Sequence, residues 1–267
     1  VNIEPIRFSD LKYFARSPAH FRDAIENPRR ATAAMDLGAI AHRLVLGPRQ
    51  GDGELAVWTG GRRFGKTWDA FVEAHASDVI VTAKDFAAAK RIAAAIRADE
   101  TAAALLEGAR LETPLGWNED GLRAETRGID IIKPLAGMAV HVAELKTTTN
   151  TEPGKLQRQA MTMLYPQQLE WYRGALVQKG HDVQLVSIIG VEVTPPHAVT
   201  VLALTPDLLA WARKSIALWL ERLRVCLAED HWPAYRQRAE TFDLPAWLVA
   251  DGPAEEEDDE DEPVEAA

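Results

Sequence analysis

The chain has 267 residues, 47% of them apolar, enough for a sizeable core, and its longest apolar runs fall well short of the ~18 residues that cross a bilayer. A single cysteine, Cys226, excludes an intramolecular disulfide and a cysteine-built zinc or iron–sulfur centre; with no signal-peptide pattern at the start, a cytoplasmic location is expected. The formal net charge of −10 is concentrated at one end, because residues 251–267 hold ten acidic and no basic residues, and removing those ten from 40 acidic and 30 basic leaves 30 of each, so a polyanionic partner is not excluded.

Helical signals open the chain. Ser9 can cap a turn carrying Leu11 and Phe14, and Ser17-Pro18 sets a capping residue before a proline at the first helical position. Asp36 to Leu46 reads as a helix containing Gly38 and His42, stopped by Gly47-Pro48. Residues 49–65 are polar and glycine-rich and read as a loop, with Arg62, Arg63 and Lys66 among the basic residues around it. Thr82 to Leu106 reads as one long alanine-rich helix. Thr82 and Asp85 supply its capping box, and Phe86, Ile92, Ile96 and Leu105 its apolar face.

Strands are expected at about 109–117, 121–132 and 138–146, with a turn at Lys133-Pro-Leu-Ala-Gly137. Residues 147–160 are polar, contain Pro153-Gly154, and read as a mobile loop. A helix from about Pro166 to Lys179 ends at Gly180. Strands at about 183–194 and 198–204 precede a last helix that starts at Thr205-Pro206-Asp207 and runs to about Leu227. This order predicts one α/β domain, residues 1–250, with a central mixed sheet flanked by helices and a helical N-terminal part. Residues 251–267 have no apolar pattern and read as a disordered acidic tail.

Glu144-Leu145-Lys146 closes the third of these strands. Side chains alternate along a strand, so Glu144 and Lys146 share one face and Leu145 turns to the other. A carboxylate and an ammonium side by side can serve as a metal ligand and a partner for an attacking water. Asp130, on the preceding strand, offers a second carboxylate. An acidic-X-Lys triplet is common by chance, and its meaning here comes from the surrounding elements.

Those elements are Gly38-X-X-X-His42 on the early helix, Gln168-X-X-X-Tyr172 on the helix after the sheet, and Ser17-Pro18-Ala-His-Phe21 near the start. Gln168 and Tyr172 lie four apart and share a helix face. With Asp130, Glu144 and Lys146 they occur in an order that resembles the RecE-type exodeoxyribonucleases of phages and prophages, members of the PD-(D/E)XK nuclease superfamily. The resemblance spans about residues 8–180. It implies a PD-(D/E)XK core, with His42, Asp130 and Glu144 as metal ligands, Lys146 as the catalytic lysine, and Gln168 and Tyr172 flanking the site. Glu144 stands where many members have aspartate. Taken singly, His42 could be a core histidine, Asp130 a turn cap, Gln168 and Tyr172 ordinary helix positions, and Glu125 either a site member or a salt-bridge partner.

Oxygen-rich sites suit Mg²⁺, with Mn²⁺ as a substitute. The implied activity is metal-dependent hydrolysis of linear double-stranded DNA, 5′→3′, leaving 3′ single strands for recombination. The resemblance also implies a ring-shaped homo-oligomer, a tetramer, working with a single-strand annealing recombinase. Arg43, Arg62, Arg63 and Lys66 are candidate phosphate contacts. The competing functions are a RecB-like endonuclease or repair nuclease, and a non-catalytic DNA-binding or recombinase-docking protein.

Overall fold

In chain order the elements are α1 (Phe8–Leu11), a short 3-10 helix (Lys12–Ala15), α2 (Pro18–Glu26), α3 (Ala33–Leu46), β1 (Leu55–Trp58), α4 (Lys66–Ala74), β2 (Val79–Thr82), α5 (Ala83–Ala98), α6 (Glu100–Leu106), β3 (Arg110–Glu119), β4 (Leu122–Pro134), β5 (Ala139–Thr148), α7 (Pro153–Thr162), α8 (Tyr165–Gln178), β6 (Asp182–Glu192), β7 (Val199–Ala203) and α9 (Pro206–Glu229). They come from a computed structural model that describes residues 3, 5–27, 33–49 and 51–235. The described residues up to 234 form one compact unit. The expected domain boundary at residue 250 and the acidic tail lie outside the described residues. No helix among the described residues is long and apolar enough to cross a membrane.

Local chemistry sets several boundaries. Ser17 accepts a hydrogen bond from the His20 backbone N–H at the start of α2, and Thr82 accepts from that of Asp85 at the start of α5. The single helix expected over 82–106 is instead two. Asp99 adopts an extended backbone and its side chain accepts from the Ala102 N–H, ending α5 and capping α6. The loop expected over 147–160 is also corrected, because α7 occupies most of it. Glu152 accepts from the N–H groups of Gly154 and Lys155, Pro153 takes the first helical position, and Leu156 and Ala160 are buried. Part of the expected 49–65 loop is strand β1, which pairs in parallel with β2.

The main sheet has the order β3-β4-β5-β6-β7. Strands β3, β4 and β5 form an antiparallel meander, β5 and β6 are parallel, and β6 and β7 antiparallel. The parallel step needs a crossover, which α7 and α8 provide. Two apolar clusters cover the two faces. Ile132, Val142 and Ile188 join one with Leu169 of α8 and Leu220 of α9. Their neighbours Ile131, Ala143 and Ile189 join the other with Ile40 of α3 and Ile92 of α5. Adjacent residues part to opposite faces because the strand period is two.

The meander is forked. β4 and β5 pair from Ile131–Ala143 to Pro134–Val140, and pairing stops there. The next position on each strand is Asp130 and Glu144. Beyond the fork the free edge of β4 is taken by the N-terminal segment: the Ile6 N–H donates to the Arg123 carbonyl at 2.8 Å, and the Glu125 N–H donates to the Ile6 carbonyl at 3.0 Å. The fork therefore opens beside the two carboxylates without leaving β4 unpaired along that stretch.

Candidate active site

A cleft of about 990 Å³ lies at the fork, lined among others by His42, Glu112, Glu144, Lys146, Gln168 and Tyr172. Helix α3 brings His42 to it by close packing on β5. A β-carbon at Gly38 would fall 2.6 Å from Thr147 Oγ1, so the small residue one turn before His42 permits the approach.

Asp130 is 1% exposed and Glu144 4%. Asp130 Oδ2 accepts from the Leu145 N–H at 2.9 Å and lies 2.9 Å from His42 Nε2. Glu144 Oε1 accepts from Lys146 Nζ at 2.8 Å and from Gln168 Nε2 at 2.7 Å. Gln168 turns its carbonyl oxygen to Lys146 Nζ at 3.0 Å, and its amide also reaches Tyr172 Oη at 3.1 Å. Lys146 Nζ sits 4.7 Å from the centre of the Tyr165 ring. The structure thus gathers all six residues that the sequence singled out into one connected group.

Glu112 completes the group, and the sequence reading missed it. Its Oε1 is 3.0 Å from His42 Nδ1, and its Oε2 is 2.8 Å from Arg49 Nε. His42, Glu112 and Asp130 offer ligand atoms within 4.8 Å of one another, a group that could hold a metal ion. Leu111 pairs with Ile131 and Thr113 with Ile129, so Glu112 lies across from Asp130, and directly opposed residues point to the same face. The register shifts by one between Thr113 and Leu115, so simple alternation along the expected meander would have turned Glu112 to the other face. Glu125 lines the same cleft, paired with Arg7, its Oε1 accepting from Arg7 Nε at 2.7 Å.

The electrostatics follow from crowding charges in a dry place. Burial alone would lower the His42 pKa, but the carboxylates of Asp130 and Glu112 overcome it and raise it to about 10. Burial alone would raise Asp130, but the His42 imidazole holds it below its ordinary value. Burial and the neighbouring Asp130 carboxylate push Glu144 up to about 7 despite Lys146. Burial opposes the charge on Lys146, yet Glu144 and Asp130 hold its pKa above the ordinary lysine value. Burial pushes Tyr172 up to about 12.

The donor set fits a hard divalent cation. The His42–Glu112–Asp130 group supplies two carboxylates and an imidazole, Glu144 adds a third carboxylate in the same cleft, and none of the four offers sulfur. Glu144 Oε2 is buried and finds no hydrogen-bond partner among the described residues, a costly state for a carboxylate oxygen unless something positive meets it.

The candidate phosphate contacts are dispersed. Arg43 and Arg63 line the cleft, and the Arg43 guanidinium donates to the Gly53 carbonyl. Arg62 and Lys66 are exposed and lie outside the cleft lining.

Comparison with known proteins agrees with this architecture. The model of the PDDEXK-like domain of unknown function (DUF3799) matches residues 7–245. A crystal structure of a "Putative exonuclease" from Eubacterium rectale superposes with a TM-score of 0.59 at 15% identity, covering 94% of each chain; the likeness is one of fold. No curated protein matches significantly. With the family model spanning most of its length, the chain belongs to the PDDEXK-like DUF3799 family, within the PD-(D/E)XK superfamily.

Proposed function

We propose that the chain is a divalent-metal-dependent exodeoxyribonuclease that hydrolyses phosphodiester bonds of linear double-stranded DNA. The observation that carries this is the fork: buried Asp130 and Glu144 side by side, one Glu144 oxygen unpartnered, and Lys146 2.8 Å from the other. That the Eubacterium rectale protein of similar fold is called a "Putative exonuclease" points the same way.

Asp130 and Glu144 would hold the cation, with His42 and Glu112 beside them. His42 must lose its proton to act as a ligand, which couples metal uptake to proton release. When bound, Mg²⁺ or Mn²⁺ would neutralise charge on the phosphoryl oxygens and make nearby water more acidic. Lys146 remains protonated and donates to the attacking water's oxygen or to the negative charge that develops on the phosphoryl oxygens. Gln168 fixes the lysine through its carbonyl oxygen and Glu144 through its amide. Tyr172 holds the Gln168 amide in that orientation. Arg49 keeps Glu112 turned inward. Water adds to phosphorus and gives up a proton to solvent as the sugar oxygen leaves, and the leaving oxygen takes a proton from solvent.

The RecE-type resemblance supplies the finer assignments: 5′→3′ polarity, 3′ single strands for an annealing recombinase, and a tetrameric ring. Arg43, Arg62, Arg63 and Lys66 are assigned to the DNA backbone. Digestion of end-labelled linear duplex with and without Mg²⁺ tests the activity, and a 5′ or a 3′ label tests the polarity. Metal-independent release, or no release, overturns the assignment. Rapid cutting of closed circles would replace exonuclease with endonuclease.

A further inference from the structure

The segment between β1 and α4 reads Thr59-Gly-Gly-Arg-Arg-Phe-Gly65. Phe64 is 66% exposed, a large apolar side chain presented to water. It stands among basic residues. The Arg62 guanidinium lies 5.8 Å from the centre of its ring, Arg63 precedes it, and exposed Lys66 follows within two residues.

The segment has a built mount. A β-carbon at Gly60 would fall 2.3 Å from the Trp58 ring, so this backbone lies flat on the indole. Trp58 Nε1 also donates to the Gly61 carbonyl at 3.0 Å. Trp58 packs in turn on Trp68 and Phe71, with ring centres 5.3 and 5.0 Å apart. Arg63 lies over Trp68 at 5.6 Å and lines the same cleft as Lys146 and Gln168. Gly61 and Gly65 hold φ of 77° and 83°, conformations that favour glycine. An aromatic ring is thus held out to solvent, on an anchored loop, next to Arg63 of the cleft lining and between cations.

We propose that Phe64 is a stacking platform for an unpaired base, flanked by Arg62 and Arg63 on the phosphates beside it. An exposed aromatic among guanidinium groups matches the chemistry of single-stranded nucleic acid, whose bases offer π-faces and whose backbone offers negative charge. A closed duplex hides its base faces in the stack, so the platform serves strand ends and single strands. The inference rests on the nuclease assignment above and adds a contact that tells a DNA end from duplex interior.

The test measures binding by the full chain in EDTA, so that no cleavage intervenes. The ligands are a fluorescent short thymidine oligonucleotide and, separately, a covalently closed duplex circle. Phe64→Ala should weaken oligonucleotide binding about tenfold, the low end of what one stacked base contributes. Circle binding should change less than about twofold and the melting temperature should hold, since the ring is exposed. Phe64→Trp should restore the affinity. A 2-aminopurine placed as the unpaired end base should be quenched by the wild type and not by Phe64→Ala. Equal oligonucleotide affinity in wild type and Phe64→Ala, or equal losses on both ligands, overturns the platform and leaves the nuclease assignment standing. Failure of the wild type to bind the oligonucleotide overturns the platform, while Mg²⁺-dependent digestion of linear duplex judges the nuclease assignment separately.

Discussion

Gly128 leaves the space that the Glu112 carboxylate fills: a β-carbon there would fall 2.2 Å from Glu112 Oε2. Glu112 itself holds a φ of 44°, a left-handed conformation uncommon outside glycine. Glycine on β4, Arg49 and His42 together fix one carboxylate. Gly128→Ala should therefore push that carboxylate out of line. The fold should survive, since overpacking costs about 1–3 kcal/mol, while Mn²⁺ affinity falls. Calorimetry and thermal melting on the same sample check this. Unchanged Mn²⁺ binding by a folded Gly128→Ala protein would detach Glu112 from the metal.

Glu112→Gln keeps the size of the side chain and removes its charge. It should weaken Mn²⁺ binding by about 10- to 100-fold, the range for residues that hold or orient a ligand. Asp130→Ala and Glu144→Ala should do more, because each removes a buried carboxylate from the fork. His42→Ala should impair cleavage less completely. A Glu112→Gln protein with wild-type Mn²⁺ affinity would restrict the site to His42, Asp130 and Glu144.

Lys146 is proposed to act on the reacting group rather than to hold the fold or the DNA. Lys146→Ala should lower the cleavage rate by about 100-fold or more, the usual loss when one donor to developing charge is removed. Oligonucleotide affinity in EDTA should stay within a fewfold of wild type. Gln168→Ala should lower the rate by less, since the lysine keeps Glu144 as a partner. Near-normal digestion by Lys146→Ala would dismiss its catalytic role.

Metal binding should strengthen with pH. Glu144 is raised to about 7 and His42 to about 10, and only their deprotonated forms can ligate. Below about pH 7 a proton occupies Glu144 and competes with the cation; above it that competition fades, while the proton on His42 must still be released. The sign for folding is opposite. Both pKa values lie above the ordinary ones, so the stability they contribute is fully present at low pH and lost as pH rises, for Glu144 between about 4.5 and 7 and for His42 between about 6.5 and 10. Mn²⁺ titrations one unit below and one unit above pH 7 should show tighter binding at the higher pH, with the difference reduced in Glu144→Gln. Tighter binding at the lower pH would contradict the ligand assignment.

Much of the site could be read from the sequence because its spacings are local. Glu144 and Lys146 share a strand face by a period of two, and Gln168 and Tyr172 share a helix face by a separation of four. Glu112 escaped because its position depends on strand pairing, and it has no motif of its own. The helix α7 escaped because Pro153-Gly154 reads as a breaker, whereas Glu152 caps it and Leu156 anchors it. A β-carbon at Gly190 of β6 would lie 2.6 Å from Leu156, a fit that only tertiary packing reveals. The split at Asp99 and the short strand β1 escaped for similar reasons. An alanine-rich stretch hides a cap, and four residues give little alternation to read.

The most direct measurement is digestion of linear duplex DNA by the wild type, Lys146→Ala and Glu144→Gln, each with Mg²⁺ and with EDTA, alongside a covalently closed circle. Release of nucleotides from the linear duplex by the wild type with Mg²⁺ only, its loss in both variants, and sparing of the circle are the predicted results. Equal release by wild type and both variants, or release that persists in EDTA, would contradict a catalytic centre at the fork of β4 and β5.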